Sequence, residues 1–228
     1  MNRKTIFSIV IAISMIALAA CSTAAATSTS NTTNTVSPTA ANNTTSNATS
    51  PISSSDTTVS MDPNLACSGS KTSATVTPEL TEGPYYKSGS PELANLYQTG
   101  MAGMKLVITG YVYDTNCQPV ANAWLDFWQA DDSGNYDNSG YTLRGHQYTD
   151  ATGRFILTTV VPGLYPGRTE HIHFKVQAPN GKILTSQLFF PGVAQNDSDG
   201  IYNASLLLSI QKNSDSWQGQ YNFVVPAS

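Results

Sequence analysis

Alternation of apolar and polar positions organises the chain from residue 105 to residue 190. Lys105 to Tyr113 is rich in Val, Ile and Tyr, and the stretch from Asp114 to Pro119 reads as a turn. From Ala121 to Ala130, the residues Ala123, Leu125 and Phe127 alternate with Trp124, Asp126 and Trp128. A third run, Arg154 to Val161, opens after Asp150-Ala151-Thr152-Gly153 and closes at Pro162-Gly163. His171 to Ala178 and Lys182 to Phe190 flank Asn180-Gly181, a pair that tolerates positive φ and signals a hairpin. Tyr221 to Val225 supplies a candidate last strand, and Ser205 to Ile210 reads as a short helix or strand. Short strands, polar turns and no long amphipathic helix predict an all-β domain. The expected form is a β-sandwich of mainly antiparallel strands, with long loops around the site.

The N-terminal part has a different pattern. Asn2-Arg3-Lys4 precedes an apolar run, Ile6 to Ala20, too short to span a membrane comfortably. It ends in Leu18-Ala19-Ala20-Cys21, which resembles a bacterial lipoprotein signal with Cys21 lipidated. Residues 1–20 are therefore expected to be a signal peptide, and the protein to stand outside the cytoplasm on a membrane anchor. Residues 21–66 carry Ser, Thr, Asn and Ala with no aromatic side chain, Lys or Arg, a composition that cannot bury enough apolar surface to fold. They read as a flexible tether, leaving residues 67–228 as one domain with a single core.

Composition narrows the partners. A formal net charge of −4 gives no basic footprint for nucleic acid. Apart from Cys21 there are two cysteines, Cys67 and Cys117, and outside the cytoplasm a disulfide between them is expected. The sequence leaves room for a homo-oligomer.

The chemistry gathers at His171-Ile172-His173. The chain has three histidines, and two of them stand here at positions i and i+2 of a strand, where side chains share a face. Two co-facial imidazoles make half a metal site. A carboxylate from Glu170 would point to the opposite face, and Asp126, Asp131 and Asp150 have no distinctive spacing. A further histidine would be needed for a cupin-like site, and none follows His173. Tyrosine is in surplus at 11, and Tyr136 and Tyr165 stand in Gly/Pro-rich turns. A phenol has a reference pKa near 10, so ionising one at pH 7 costs about 4 kcal/mol without help. Ferric iron, hard and oxygen-seeking, offsets that cost. Two phenolates, a hydroxide and two neutral imidazoles would balance its charge.

The ordered set Gly110-Tyr-Val-Tyr-Asp114, Pro119-Val120, Trp128-Gln-Ala-Asp131, Gly134-Asn-Tyr136, Arg144-Gly145, Thr149-Asp150, Gly153, Pro162-Gly163-Leu-Tyr165 and Arg168-Thr-Glu-His171-Ile-His173 resembles the intradiol ring-cleavage dioxygenases. The likeness is closest to the protocatechuate 3,4-dioxygenase β-like core. It implies a non-haem Fe(III) held by Tyr136, Tyr165, His171 and His173. It also implies a catecholic substrate cleaved by O2 between its two hydroxylated carbons to a cis,cis-muconate-type product. Arg168 matches the arginine that stabilises catecholate charge, and Tyr165 the ligand that yields to substrate and takes up a catechol proton. Gly83, Pro84 and Tyr85 resemble a segment lining the substrate mouth, and Gln187 a glutamine near the iron. With a two-residue hairpin at Asn180-Gly181, Gln187 would face away from His173; a bulge or longer loop is required to bring it in. The tether stands where catechol 1,2-dioxygenases have a helical domain. Two alternatives from other classes are a tethered binding module without chemistry and a copper or storage site using the histidines alone.

Overall fold

The computed structural model describes residues 62–227; the signal peptide, Cys21 and most of the tether lie outside them. No helix among the described residues is long and apolar enough to cross a membrane. Among the described residues there are nine strands: β1 (Lys105–Asp114), β2 (Trp124–Trp128), β3 (Arg144–Tyr148), β4 (Arg154–Val160), β5 (His171–Gln177), β6 (Leu184–Phe189), β7 (Ser209–Lys212), β8 (Trp217–Gln220) and β9 (Phe223–Val225). Two short 3-10 turns, Ala194–Asp197 and Ala204–Leu206, complete the set.

The strands form two sheets. One runs β4-β1-β8-β7, with β9 also paired to β1; the other runs β3-β2-β5-β6. All pairs are antiparallel except β1 with β8 and β1 with β9. This is the expected all-β sandwich. Each strand turns its apolar residues inward because alternate side chains leave opposite faces. From β1 come Leu106, Ile108 and Val112, from β2 Leu125 and Phe127, and from β5 Ile172, Phe174 and Val176, all without solvent exposure. Phe174 meets Phe223 across the core with ring centroids 4.5 Å apart, and Phe127 lies 6.5 Å from the same ring.

The structure adds strands that the sequence pattern does not show. The run at residues 144–148 has no apolar alternation, yet it is an edge strand of the second sheet, paired to β2 from Trp124↔Tyr148 to Trp128↔Arg144. Its free edge is closed by the chain ahead of it: Leu93 N donates to His146 O, and His146 N donates to Pro91 O. The expected last strand is present as β9, and β8 precedes it in a stretch where the sequence shows no clear pattern. The domain boundary also moves. Asp62 N donates to Gln220 Oε1, Ser209 Oγ donates to Asp62 Oδ2, and Leu65 is buried. Residues 62–66 thus pack with the domain rather than belonging to the tether, because Asp62 and Leu65 find partners that composition alone does not reveal. Cys67 and Cys117 are bonded, joining this segment to the turn after β1.

The outer face of the second sheet is the part that matters for function. Cross-strand register sets side chains there in rows: Arg144, Trp128, His173 and Gln187; then His146, Asp126, Lys175 and Thr185; then Tyr148, Trp124 and Gln177. The first row is fully buried even though three of its four members are polar.

Phe174→Ala should lower the unfolding free energy by about 3–5 kcal/mol, the usual cost of deleting a buried aromatic ring. Urea titration of the chain measures it, and a loss below about 1 kcal/mol would contradict Phe174 as the contact joining the sheets.

Candidate metal centre

His171 and His173 project from β5 with Nε2 atoms 3.1 Å apart. His171 Nδ1 lies 2.7 Å from Thr169 O and donates to it, so its Nε2 carries the lone pair. Tyr136 Oη lies 3.2 Å from that same Nε2. His171 Nε2, His173 Nε2 and Tyr136 Oη thus converge on one point, while His173 Nδ1 is buried with no hydrogen-bond partner. Such convergence suits a shared cation better than a hydrogen-bond network. The ring of His173 lies flat against Trp128, with centroids 4.8 Å apart and planes 7° apart. Gly83 abuts its other side: a Cβ added there would come within 3.2 Å of His173 Cε1.

The tyrosines arrive on two loops locked together. Asp131 Oδ1 accepts from Ser133 N and Asn135 N at 2.9 Å, which folds the loop that presents Tyr136. Gly163 N donates to Asp131 O at 2.7 Å. A Cβ on Gly134 would fall 2.1 Å from Leu164 O, and one on Gly163 would fall 2.2 Å from Asp132 O. Glycine at both positions lets the backbones touch, which sets Tyr136 and Tyr165 on adjoining loops. Their rings meet edge to face at 6.1 Å. Tyr165 Oη is 2.9 Å from Tyr85 Oη, and the Tyr85 ring stacks on Tyr136 at 4.5 Å. Pro84 belongs to the same stretch, between Gly83 and Tyr85.

Electrostatics agree with the need for a cation. Burial pushes the Tyr136 phenol well above its ordinary range, and the charges of Arg168 and Arg144 pull it only part of the way back. Burial lowers His171 to about 4 and depresses His173 well below the usual imidazole value, so both are neutral near pH 7. Two neutral imidazoles and a phenol that ionises only with help are a fitting donor set for a hard trivalent ion.

Arg168 is held from two sides. Its Nε donates to Asp199 Oδ2 at 2.8 Å, and Nη2 donates to Gln187 Oε1. Asp199 Oδ2 also accepts from Thr169 N, and Gln187 Nε2 donates to Thr81 O. Gln187 therefore faces the site: residues 178–183 separate β5 from β6, and the register His173↔Gln187 puts both on one face. The tight hairpin suggested by Asn180-Gly181 gives way to this longer connection.

A match to the family model described as dioxygenase covers residues 81–224. The chain belongs to the intradiol ring-cleavage dioxygenases. Catechol 1,2-dioxygenase 2 of Acinetobacter lwoffii is 34% identical over 142 residues, covering 51% of this chain and 52% of that protein. Among solved structures, the dioxygenase domain of a dioxygenase carbohydrate-binding protein fusion from Streptomyces sp. SirexAA-E aligns with TM-score 0.67 and 44% identity. That alignment covers 68% of this chain and all of that one. An intradiol ring-cleavage dioxygenase from Tetranychus urticae aligns with TM-score 0.62 and 27% identity, over 67% and 95% of the two chains. The chain spans about half the length of the curated relatives it matches.

Several residues of this intradiol dioxygenase site escape a reading of the sequence. Arg144 is buried, donates to Tyr85 O at 2.6 Å and to Asp137 O at 3.1 Å, and lies 6.0 Å from the Tyr136 ring. Its only signal was its place in the Arg144-Gly145 motif. Asp199, which aims Arg168, stands in a stretch without pattern. Trp128 is buried as core residues are, but it serves the imidazole. The second row ties down the covering segment: Tyr86 Oη and Ser90 Oγ donate to Asp126, and Lys175 Nζ donates to Glu82. His146, contacting Ser90 O at 2.8 Å, belongs to that row rather than to the metal end.

With metal removed, the unfolded chain takes up protons at His171 and His173 near pH 6.5, whereas in the folded site His171 resists until about pH 4 and burial holds His173 well below its ordinary value. Their contribution to stability is complete above pH 6.5 and is lost as pH falls toward 4. Buried Asp126 and half-buried Glu170, both raised by desolvation, act in the opposite sense. Urea unfolding of chelated protein from pH 8 to 4 should therefore fall less steeply in His171→Gln than in the parent, and parallel profiles would contradict the buried neutral imidazole.

Proposed function

We propose that this chain is a non-haem Fe(III) dioxygenase that cleaves a catechol-type ring between its hydroxylated carbons with O2, giving a cis,cis-muconate-type product. The observation that carries the reading is the meeting of Tyr136 Oη and the two imidazole Nε2 atoms beside the Tyr165 hydroxyl, with Arg168 fixed next to them. Tyr136, Tyr165, His171 and His173 would hold the iron, which supplies Lewis acidity toward a chelating catecholate and an electron partner for O2.

The protein's own groups do the rest. Tyr165 Oη, as a phenolate, accepts a proton from the incoming catechol and passes into its hydrogen bond with Tyr85. Arg168, which Asp199 and Gln187 stop from turning away, offers its cation to the negative charge that builds on the ring oxygens. Trp128 and Gly83 hold the His173 ring in one plane, so the donor geometry is set before substrate arrives.

A cavity of about 450 Å³ opens beside these groups, lined by Leu164, Tyr165, Pro166, Gly167, Arg168, Gln195, Ser198 and Asp199. Its one cation is already paired with Asp199. Uncharged catechols and hydroxyquinol suit it better than a ring bearing a carboxylate. The sequence signal further supports attachment through Cys21 to a membrane outside the cytoplasm.

Four measurements test this. The iron-loaded chain should be red-brown from phenolate charge transfer, and Tyr165→Phe should shift the band and slow turnover at least tenfold; an unchanged spectrum with full activity removes Tyr165 from the ligand set. Arg168→Ala should keep its iron yet lose at least 10²-fold in kcat, the scale of a lost charge-stabilising donor. Catechol should exceed protocatechuate in kcat/KM by at least tenfold, and the reverse order would reject the uncharged-ring assignment. Cys21→Ser should release the protein from the membrane fraction; continued sedimentation with membranes would refute the lipid anchor. A chain that stays colourless after ferric reconstitution returns the binding-module reading to first place.

A further inference from the structure

The outer face of the second sheet carries a last row that the metal centre does not use. Trp124 stands directly opposite Tyr148 on β3 and Gln177 on β5, so the three side chains lie side by side, about 4.8 Å from strand to strand. Four residues along β2 separate Trp124 from Trp128, roughly 13 Å of strand. Where the Trp128 row is sealed, this one is open: Tyr148 is 50% exposed and neighbouring Ile183 47%. With Asn122 and Asn180 at the rim, these residues line a shallow cavity of about 460 Å³.

The lining states what it would hold. An indole and a phenol combine a large apolar ring, able to pack against C–H groups, with a polar handle at one end. The amides of Asn122 and Asn180 are exposed, each able to donate twice and accept twice. Gln177 Nε2 is held on Gly181 O at 2.8 Å, which fixes the side chain and leaves Oε1 to accept. No carboxylate, ammonium or guanidinium lines the cavity, so an ionic ligand would meet no counter-charge. A ligand with flat C–H-rich faces, many hydroxyls and no charge satisfies all three conditions. We propose that the Tyr148–Trp124–Gln177 row is a binding platform for a neutral polysaccharide, separate from the metal centre.

The test is retention of the full chain on insoluble cellulose, xylan, mannan and chitin, with catechol turnover in solution measured in parallel. At least one polymer should retain the parent. Trp124→Ala and Tyr148→Ala should each weaken retention tenfold or more, with turnover within twofold of the parent. Tyr148→Ala removes an exposed ring and keeps the test decisive even where Trp124→Ala fails to fold. Failure of all four polymers to retain the parent overturns the proposal, as does retention that survives both substitutions. Retention of the parent on a synthetic phenolic polymer, run as a control, but on none of the four polysaccharides also overturns it. So does sedimentation showing that Tyr148→Ala splits a dimer while polysaccharide retention is absent, which would identify the row as a contact between copies of the chain.

Discussion

A polar sheet face must be kept from water without leaving its polar atoms unpaired, and the rest of the domain is arranged around that requirement. The inner face of the second sheet is ordinary apolar core, but its outer face presents an arginine, a histidine and a glutamine in one buried row. Burying such groups is costly unless each finds a partner. The partners come from the covering segment and the loops: Tyr85 O and Asp137 O for Arg144, Thr81 O and Arg168 for Gln187. His173 Nδ1 is left without one, which is the kind of local deficit that functional sites tolerate.

The same arrangement explains why the site needs so few strongly placed residues. β5 fixes two donors through strand geometry alone, and the two tyrosine loops are joined at Gly134 and Gly163, where their backbones touch. The Tyr85 ring then spans both phenols, stacked on one and hydrogen-bonded to the other. Rigidity here comes from backbone contact at glycine, where a single added methyl group would collide with a carbonyl oxygen.

Much of this was legible in the sequence because it depends on local periodicity. The His171/His173 pair, the apolar faces of β1, β2 and β5, and the turn glycines follow from spacing along one strand or one loop. What could not be read depends on partners far away in the chain. β3 is a strand because β2 and residues 91–93 flank it, not because Arg-Gly-His-Gln-Tyr favours one. Asp199 matters only through Arg168 and Thr169, 31 and 30 residues earlier. The orientation of Gln187 turned on the parity of a loop, where Asn180-Gly181 suggested a shorter connection than the one formed. Residues 62–66 show the same limit, since composition cannot anticipate that Asp62 caps Ser209.

That N-terminal attachment has a mechanical consequence. Tension applied to the chain ahead of residue 62 would enter through Asp62, held by Gln220 at the end of β8 and by Ser209 at the start of β7, and would then reach the Cys67–Cys117 bond beside the end of β1. All three points belong to the first sheet or its turns. The pull would enter strands that carry neither His171 nor His173, and would reach the sheet that bears them through the apolar interface and through main-chain links such as Leu208 N to Phe189 O. Force at the N-terminal end of the domain would thus load the first sheet before it reaches the sheet that carries the two imidazoles.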